Sequence, residues 1–305
     1  MSDSNIGKMF ARQLDILLDI VSTKPLKLSV RNVHKGRVAS RRLREVLKNH
    51  CLDESKQDSK AVKKVKKFAD SLSNLRDADV QLKFLGSFSD DIADGQKQKV
   101  SPGIKFLKKQ LKKIRSKHEK RARERIRKLE ITETLYGIRN RLLSGYALLG
   151  EDNKSLLLED RVRDNMVKRL DKVAVSQKAL QYPEDTVLLH KMRIALKKLR
   201  YCLEFYSQYK EDGLSDFIDK IKYFQGITGQ IHDLDQWPAR IKSLESHVPN
   251  EEINYGVKFL EESIFESRDC LFENLVKDWE NLIDDNFWND LISFVNLKGF
   301  SFERE

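Results

Sequence analysis

The sequence predicts an all-α protein built from two four-helix bundles, and three observations lead to this prediction. Only 13 glycines and 5 prolines occur in 305 residues, so few turn-forming residues interrupt the chain. Apolar residues recur every three or four positions, as on the buried face of an α-helix, and no long stretch alternates as a strand does. Two copies of one residue pattern lie a constant distance apart, which indicates an internal duplication.

Three separated segments of the first half each match a segment of the second half at one offset. The matches are Leu14-Asp15 with Leu170-Asp171, Val33–Arg44 with Leu189–Arg200, and Arg76–Asp79 with His232–Asp235, each 156 positions apart. Such constancy is hard to produce by chance. The chain is therefore predicted to be a single domain over 1–305, made of a first repeat at 1–150 and a second repeat at 151–305.

Each repeat is predicted to contain four helices. In the first repeat the apolar spacing predicts helices near 5–22, 27–50, 60–88 and 103–130, with breaks at Pro25, at 53–59 and from Gly95 to Gly103. In the second repeat it predicts helices near 156–180, 184–209, 213–245 and 251–283. Pro238 is expected to kink or end the third of these. Four helices with short links favour an antiparallel bundle, and the boundary between repeats is expected at 149–155.

The charge distribution is basic and uneven. The net charge is +11, yet residues 1–150 hold 36 lysines and arginines against 17 acids, and residues 151–305 hold 22 against 30. A basic balance of this size favours an anionic partner. The three cysteines are scattered without a CxxC pair, which argues against a disulfide framework or a thiolate zinc site. With no secretory leader and no apolar run of 18 residues, a cytoplasmic protein without membrane spans is expected.

One cationic stripe recurs in both repeats. Placed on a helix at 100° per residue, the stripe of the first repeat falls within an arc of about 80°. It consists of His34, Arg37, Arg41, Arg44 and Lys48, widened by Arg42, and is called the first basic face. The second basic face consists of His190, Arg193, Lys197 and Arg200, widened by Lys198, with Glu204 in place of Lys48. Arg76 is expected to add a cation where the second repeat has His232.

The ordinary interpretation of such a stripe is a solvated helix face. A solvated face usually mixes charges, because like charges at i,i+3 and i,i+4 destabilise a helix. A nearly pure cationic stripe, repeated at matched positions, instead favours the binding of an anion. Arginine can bind phosphate oxygens bidentately and lysine acts as a point charge. From His34 to Lys48 the stripe spans about 21 Å, which suits an extended polyanion better than a single phosphate group.

The histidines and aspartates leave alternatives open. His34 and His190 can contact phosphate, form a structural hydrogen bond, or act as a metal ligand or phosphoryl acceptor. Two acids at i,i+2 diverge on a helix, so neither aspartate pair can chelate an ion by itself. The aspartates are predicted to orient basic side chains of a neighbouring helix, with capping or plain surface charge as the alternative. These aspartates are Asp77, Asp79, Asp233 and Asp235.

Two other functions compete with binding of a simple polyanion. The segment Lys105–Lys128 contains thirteen lysines and arginines and only two acids, which is typical of a nucleic-acid-binding helix, although no aromatic platform accompanies it. A phosphoryl-transfer enzyme acting through His34 or His190 is the third possibility. It lacks a glycine-rich phosphate loop and an acidic array for magnesium.

The pattern His-x-x-Arg-x-x-x-Arg-Arg-Leu-Arg, followed 42 residues after its histidine by Arg-Asp-x-Asp and then duplicated, resembles the CHAD family of conserved-histidine α-helical domains. Trp279 and Phe287-Trp288 are similar to the aromatic motif that closes members of this family. The resemblance implies two four-helix bundles related by a pseudo-twofold axis. It further implies that their basic surfaces converge on a groove or pore that binds inorganic polyphosphate, in association with polyphosphate granules.

The resemblance also assigns residues. It implies that the first basic face from His34 to Arg44 and the second from His190 to Arg200 supply the ligand contacts. This chain departs from the pattern at Lys197-Lys198, His232 and Glu204, so equal contributions from both halves are not implied. Many relatives carry a triphosphate-tunnel catalytic domain, whose alternating Glu/Lys/Arg strand pattern is missing from this sequence. No enzymatic activity, catalytic residue, cofactor or metal is therefore expected.

Overall fold

A computed structural model describes residues 2–50, 56–148, 151–207 and 213–297, and within these ranges the protein is helical and contains no strand. The prediction of an all-α protein is thereby confirmed. The predicted repeat boundary at 149–155 lies partly outside the described residues. The α-helices in the described ranges are α1 Ser2–Ser22, α2 Val30–His50, α3 Lys56–Ser71, α4 Ser73–Asp91, α5 Asp94–Leu129, α6 Ile131–Leu148, α7 Glu151–Ser176, α8 Thr186–Tyr206, α9 Ser215–Asp235, α10 Trp237–Glu245, α11 Glu251–Asp284 and α12 Phe287–Phe294.

Several helix bounds differ from the predicted ones. The predicted helix 60–88 is two helices, α3 and α4, and the predicted helix 213–245 is also two, α9 and α10. In the second case Pro238 lies in the first turn of α10, where its missing N–H costs no helical hydrogen bond. Helices α6 and α12 were not predicted. Each follows a residue in the left-handed region, Glu130 at φ 45° and Asn286 at φ 57°, which turns the chain between two helices.

The predicted break from Gly95 to Gly103 is wrong. Helix α5 runs without interruption from Asp94 to Leu129 and contains Pro102. A Cβ atom on Gly103 would lie 2.6 Å from the backbone carbon of Gly256, and one on Gly256 would lie 2.4 Å from the carbonyl oxygen of Val100. The backbones of α5 and α11 therefore touch at two glycines, one of which directly follows the proline.

The chain divides into two compact units. Unit 1 comprises Met1–Asp90 and Lys108–Glu159, and unit 2 comprises Asp91–Leu107 and Asp160–Glu305. In unit 1, α1 packs on α2 and α6, and α3 packs on α2 and α6. Buried apolar residues from these helices, among them Leu17, Leu43 and Phe68, form its core.

In unit 2, α9 packs against α8 and α11, and the short helices α10 and α12 cover α11. Trp279 lies at the centre of an aromatic cluster, with its ring centroid 5.2 Å from Phe224 and 5.5 Å from Trp288. Both tryptophans are buried, so the aromatic residues near the C-terminus are core residues of this unit. None of the helices in the described ranges has the length and apolar character that a membrane span needs.

Candidate functional site

The first basic face lies on α2, and a side chain caps the start of this helix. Ser29 Oγ accepts a hydrogen bond from the backbone N–H of Asn32 at 3.2 Å, and the Ser29 carbonyl accepts from Val33 at 2.9 Å. Val33, Ala39 and Leu43 are buried on the inner side of α2, whereas His34 and Arg42 are exposed. The amphipathic pattern therefore turns the basic residues away from the core.

Arg37 of the first basic face is bonded to a neighbouring helix junction. Its Nη1 donates to the Ala69 carbonyl at 3.1 Å and also to Ser73 Oγ, which ties α2 to the junction between α3 and α4. Burial, followed by the nearby charge of Arg41, lowers the pKa of Arg37 below its ordinary value. Burial also lowers the pKa of Arg44, whose Nε donates to the Ser40 carbonyl at 3.3 Å. Both arginines are thus partly buried and hydrogen-bonded to backbone carbonyls.

Positive charges surround His34. The residue is exposed overall, but partial burial of its ring lowers its pKa, and the charges of Arg76, Arg41 and Arg37 lower it further. Arg76 comes from α4 and the other two from α2, so the structure brings a cation of the segment Arg76–Asp79 to the histidine of the segment Val33–Arg44. At neutral pH the ring of His34 is therefore neutral and lies in a positive field. The side chain of Lys48 lies outside the described part of α2.

The second basic face lies on α8, which is capped at the corresponding position. Asp185 is 156 residues after Ser29, and its Oδ1 accepts from the backbone N–H groups of Val187 at 3.0 Å and Leu188 at 2.9 Å. Leu189, Leu196 and Leu199 are buried on the inner side of α8, whereas Lys198 is exposed. The helix thus begins in the same way as α2 and presents its basic residues on the side away from the core.

A histidine pair marks the second basic face. His190 of α8 and His232 of α9 approach with their Nδ1 atoms 3.2 Å apart and their ring centroids 4.4 Å apart. Burial, together with Arg193, His190 and Lys197, lowers the pKa of His232 to about 4. Burial, then Arg193 and Lys197, lowers the pKa of His190 as well. Both rings are neutral at pH 7, and a hydrogen bond between the two Nδ1 atoms requires one ring to carry its proton on Nδ1.

The far end of the second basic face is partly neutralised. Arg200 Nε lies 3.3 Å from Glu204 Oε1, one turn further along α8. Arg169 of α7 donates to the carbonyl of Lys198 at 2.5 Å, which ties α7 to this helix. The ion pair with Glu204 therefore offsets the charge of Arg200 at this end of the second basic face.

The aspartates divide into two exposed and two buried residues. Asp77 and Asp233 are exposed. Asp79 has a side chain that is 0% exposed, and its Oδ1 accepts from Arg115 Nε of α5 at 2.6 Å. Asp235 Oδ1 accepts from Arg268 Nε of α11 at 3.0 Å, and both side chains are less than a tenth exposed. Each buried aspartate therefore contacts an arginine that does not belong to either basic face.

These two arginines make a second contact with the backbone. Arg115 Nη2 donates to the Leu28 carbonyl at 2.9 Å, just before α2, and Arg268 Nη2 donates to the Pro183 carbonyl, just before α8. Sequence reasoning missed both residues. They are 153 positions apart instead of 156, so the constant offset pairs Arg115 with Leu271.

The basic segment Lys105–Lys128 is part of α5, and some of its cations hold the fold together. Glu119 accepts from Arg115 Nη1 at 2.8 Å and from Arg123 Nη2 at 2.5 Å. Arg123 Nη1 also donates to the Leu26 carbonyl in the loop before α2. Other cations of this segment, including Lys109, Lys112, Lys113, Lys117 and Lys120, are exposed. Within the described residues, no group of three or more His, Cys, Asp or Glu side chains is placed to hold a metal ion.

The fold and these residues define the class of the protein: an all-helical protein with a histidine-led basic face on α2 and another on α8. The chain belongs to the CHAD domain family, because the family model described as CHAD domain matches residues 21–242. The resemblance to this family is thereby confirmed. The matched range contains both basic faces and both buried aspartates, and it ends before Trp279. The comparison with curated proteins found no match.

Proposed function

We propose that this protein binds inorganic polyphosphate through its two basic faces. The observation that carries the proposal is the crowding of positive charge around the histidines. Arg76, Arg41 and Arg37 act on His34, while Arg193 and Lys197 act on both His190 and His232. Positive charges held this close together repel one another, and a polyanion would relieve the repulsion. Membership of a family with polyphosphate-binding members supports the choice of ligand.

Each type of side chain suits a chain of phosphates. Arginines such as Arg41 and Arg193 offer several N–H donors to phosphate oxygens, and lysines add point charges. A histidine that is neutral at pH 7 donates one N–H to an oxygen and can gain a proton when an anion raises its pKa. Many such contacts release counterions, so the affinity for polyphosphate should fall steeply as salt concentration rises.

The proposal includes the absence of catalysis. A binding protein of this type holds polyphosphate without cleaving it, and its place in the cell would be at polyphosphate granules in the cytoplasm. Incubation with long-chain polyphosphate, with and without magnesium, should leave the chain-length distribution on a gel unchanged. Shortening of the chains, or a stable mass increase on His34 or His190 after incubation with a phosphodonor, would instead support the phosphoryl-transfer alternative.

The first experiment measures selectivity. The protein is titrated with long-chain polyphosphate, and RNA and heparin of equal total charge compete, at two salt concentrations. Tight binding of polyphosphate that the other polyanions displace poorly is the expected result. Equal binding of all three would reduce the function to general polyanion binding. Displacement of polyphosphate by RNA at lower concentrations would favour the nucleic-acid alternative based on the exposed lysines of α5.

The second experiment locates the site. Changing Arg41→Glu together with Arg193→Glu reverses one charge on each basic face and should lower the affinity at least about 100-fold at low salt. Lys258→Glu with Lys277→Glu is the matched control, because both lysines are exposed on α11 and the change in net charge is the same. An equal loss in both double variants would show that only net charge matters. Normal binding by the first double variant would refute the proposed site.

A further inference from the structure

We infer that Arg115 and Arg268 are positioning residues. Each sets the distance between two side chains at the start of a basic face, which are called its leading groups. In the first repeat these groups are His34 and Arg76, and in the second they are His190 and His232. The consequence for polyphosphate rests on the proposed function. The structural part of the inference does not, and it can be tested on the protein without ligand.

The first step is the place of Arg115 between two elements. Its guanidinium binds Asp79 of α4 and the Leu28 carbonyl before α2. Asp79 follows Arg76 by three residues, about one helical turn, and Leu28 precedes His34 by six residues. One side chain from α5 is therefore bonded to both elements that carry the leading groups of the first basic face.

The second step is the repetition of this arrangement by Arg268. The same atoms, Nε and Nη2, bind Asp235 of α9 and the Pro183 carbonyl before α8. Asp235 follows His232 by three residues, as Asp79 follows Arg76. The other carboxylate oxygen, Oδ2, of both aspartates is buried and has no hydrogen-bond partner among the described residues. Two units of the protein thus hold their leading groups with the same contact.

The third step is burial. The side chains of Arg268 and Asp235 are 8% and 6% exposed, and that of Asp79 is fully covered. A buried, directional ion pair fixes geometry more strictly than an exposed one, because loss of either partner leaves an uncompensated charge in the interior. Since their guanidinium groups are already bonded to carboxylates, these arginines are better suited to hold the basic faces than to bind an anion themselves.

The histidine pair provides a direct measurement of the positioning. NMR titration of the histidine rings gives the pKa of His232, which its close contact with His190 helps to keep at about 4. Arg268→Gln and Asp235→Asn should both loosen α9 from α8 and move this pKa upwards, towards 6.5. A purely electrostatic effect would act differently, since loss of a positive charge raises a histidine pKa and loss of a negative charge lowers it. Shifts in opposite directions, or no shift in either variant, would overturn the inference.

The neighbouring charges stay in place during this comparison. Arg193 and Lys197 on α8, Asp233 on α9 and Asp269 on α11 are the same in both variants. Arg268→Lys is the conservative variant: it keeps the charge but loses the two-pronged contact, and it should give an intermediate shift. It also keeps the test decisive if Arg268→Gln does not fold, as judged by circular dichroism.

Binding measurements then test the consequence for the ligand. Arg115→Gln and Arg268→Gln should each weaken polyphosphate binding several-fold. When Arg41→Glu has already disabled the first basic face, Arg115→Gln should cause little further loss of affinity. Arg268→Gln acts on the second basic face and should keep its full effect on affinity. If Arg115→Gln and Arg268→Gln both kept their full loss of affinity on top of Arg41→Glu, the assignment of each arginine to one face would be overturned. If wild-type protein does not bind polyphosphate, the proposed function fails, and the titration of His232 still decides the positioning.

Discussion

Arg200 and Glu204 form an ion pair on α8, with Nε and Oε1 3.3 Å apart. Glu204 occupies the position that matches Lys48 of the first repeat. In the second basic face Arg200 is thus paired with an acid, whereas the sequence of the first basic face has a lysine at the position of that acid. Together with the replacement of Arg76 by His232, this makes the two faces electrostatically unequal. The first basic face should therefore bind phosphate groups more strongly than the second.

Reversal of the charge at Glu204 should strengthen binding. Glu204→Lys frees Arg200 and adds a cation, so the affinity for polyphosphate should rise about three- to tenfold at low salt, with a steeper dependence on salt concentration. Isothermal titration at two salt concentrations measures both quantities. Glu262→Lys, on the exposed surface of α11, makes the same change in net charge and should have a much smaller effect. An equal gain in both variants would contradict the special position of Glu204.

His232→Arg should make the second basic face resemble the first. A permanent charge beside His190 replaces a ring that is neutral at pH 7, so the affinity at this pH should rise about three- to tenfold. In the wild-type protein, binding should tighten between pH 7 and pH 5 as bound polyphosphate helps the histidines to gain protons. This tightening should be smaller in His232→Arg. His247→Arg changes an exposed histidine after α10 and serves as the control. Identical pH profiles for all three proteins would rule out a part for His232.

Much of this arrangement could be predicted from the sequence, because it is periodic. The stripe from His34 to Arg44 and its counterpart from His190 to Arg200 follow the spacing of a helix face, and the structure places them on α2 and α8. The divergence of acids at i,i+2 predicted only that the pair cannot chelate one ion. The structure adds that Asp79 is buried and Asp77 is exposed.

The contacts between distant helices could not be predicted in the same way. Arg115 looked like one more cation of a basic segment, since nothing local marks it as the partner of Asp79. Arg268 sits in an acidic stretch at a different offset, so the comparison of repeats passed over it. The helix through Pro102 was also missed, and the close contact beside it, Gly103 with Gly256, joins residues far apart in sequence.

Acidification should destabilise the protein through the histidine pair. His232 has a pKa of about 4 when folded and about 6.5 when unfolded, so its stabilising effect is complete above pH 6.5 and is lost as the pH falls towards 4. Urea unfolding at pH 7 and pH 5 should show a loss of about 1 kcal/mol from this residue, allowing for partial exposure of the ring to solvent. Between pH 7 and pH 5 the free energy of unfolding of His232→Asn should fall by correspondingly less than that of the wild-type protein. A larger loss in the variant would contradict this role.

Asp79 and Asp77 offer a comparison of two carboxylates in one turn of α4. Asp79→Asn removes the charge that compensates Arg115 in the interior, and it should lower the free energy of unfolding by about 3 kcal/mol. Asp77→Asn makes the same chemical change at an exposed position and should cost less than about 1 kcal/mol. Urea unfolding of both variants measures the difference. Equal losses would mean that the buried pair contributes no more than surface charge, and that Arg115 holds the start of α2 through the Leu28 carbonyl.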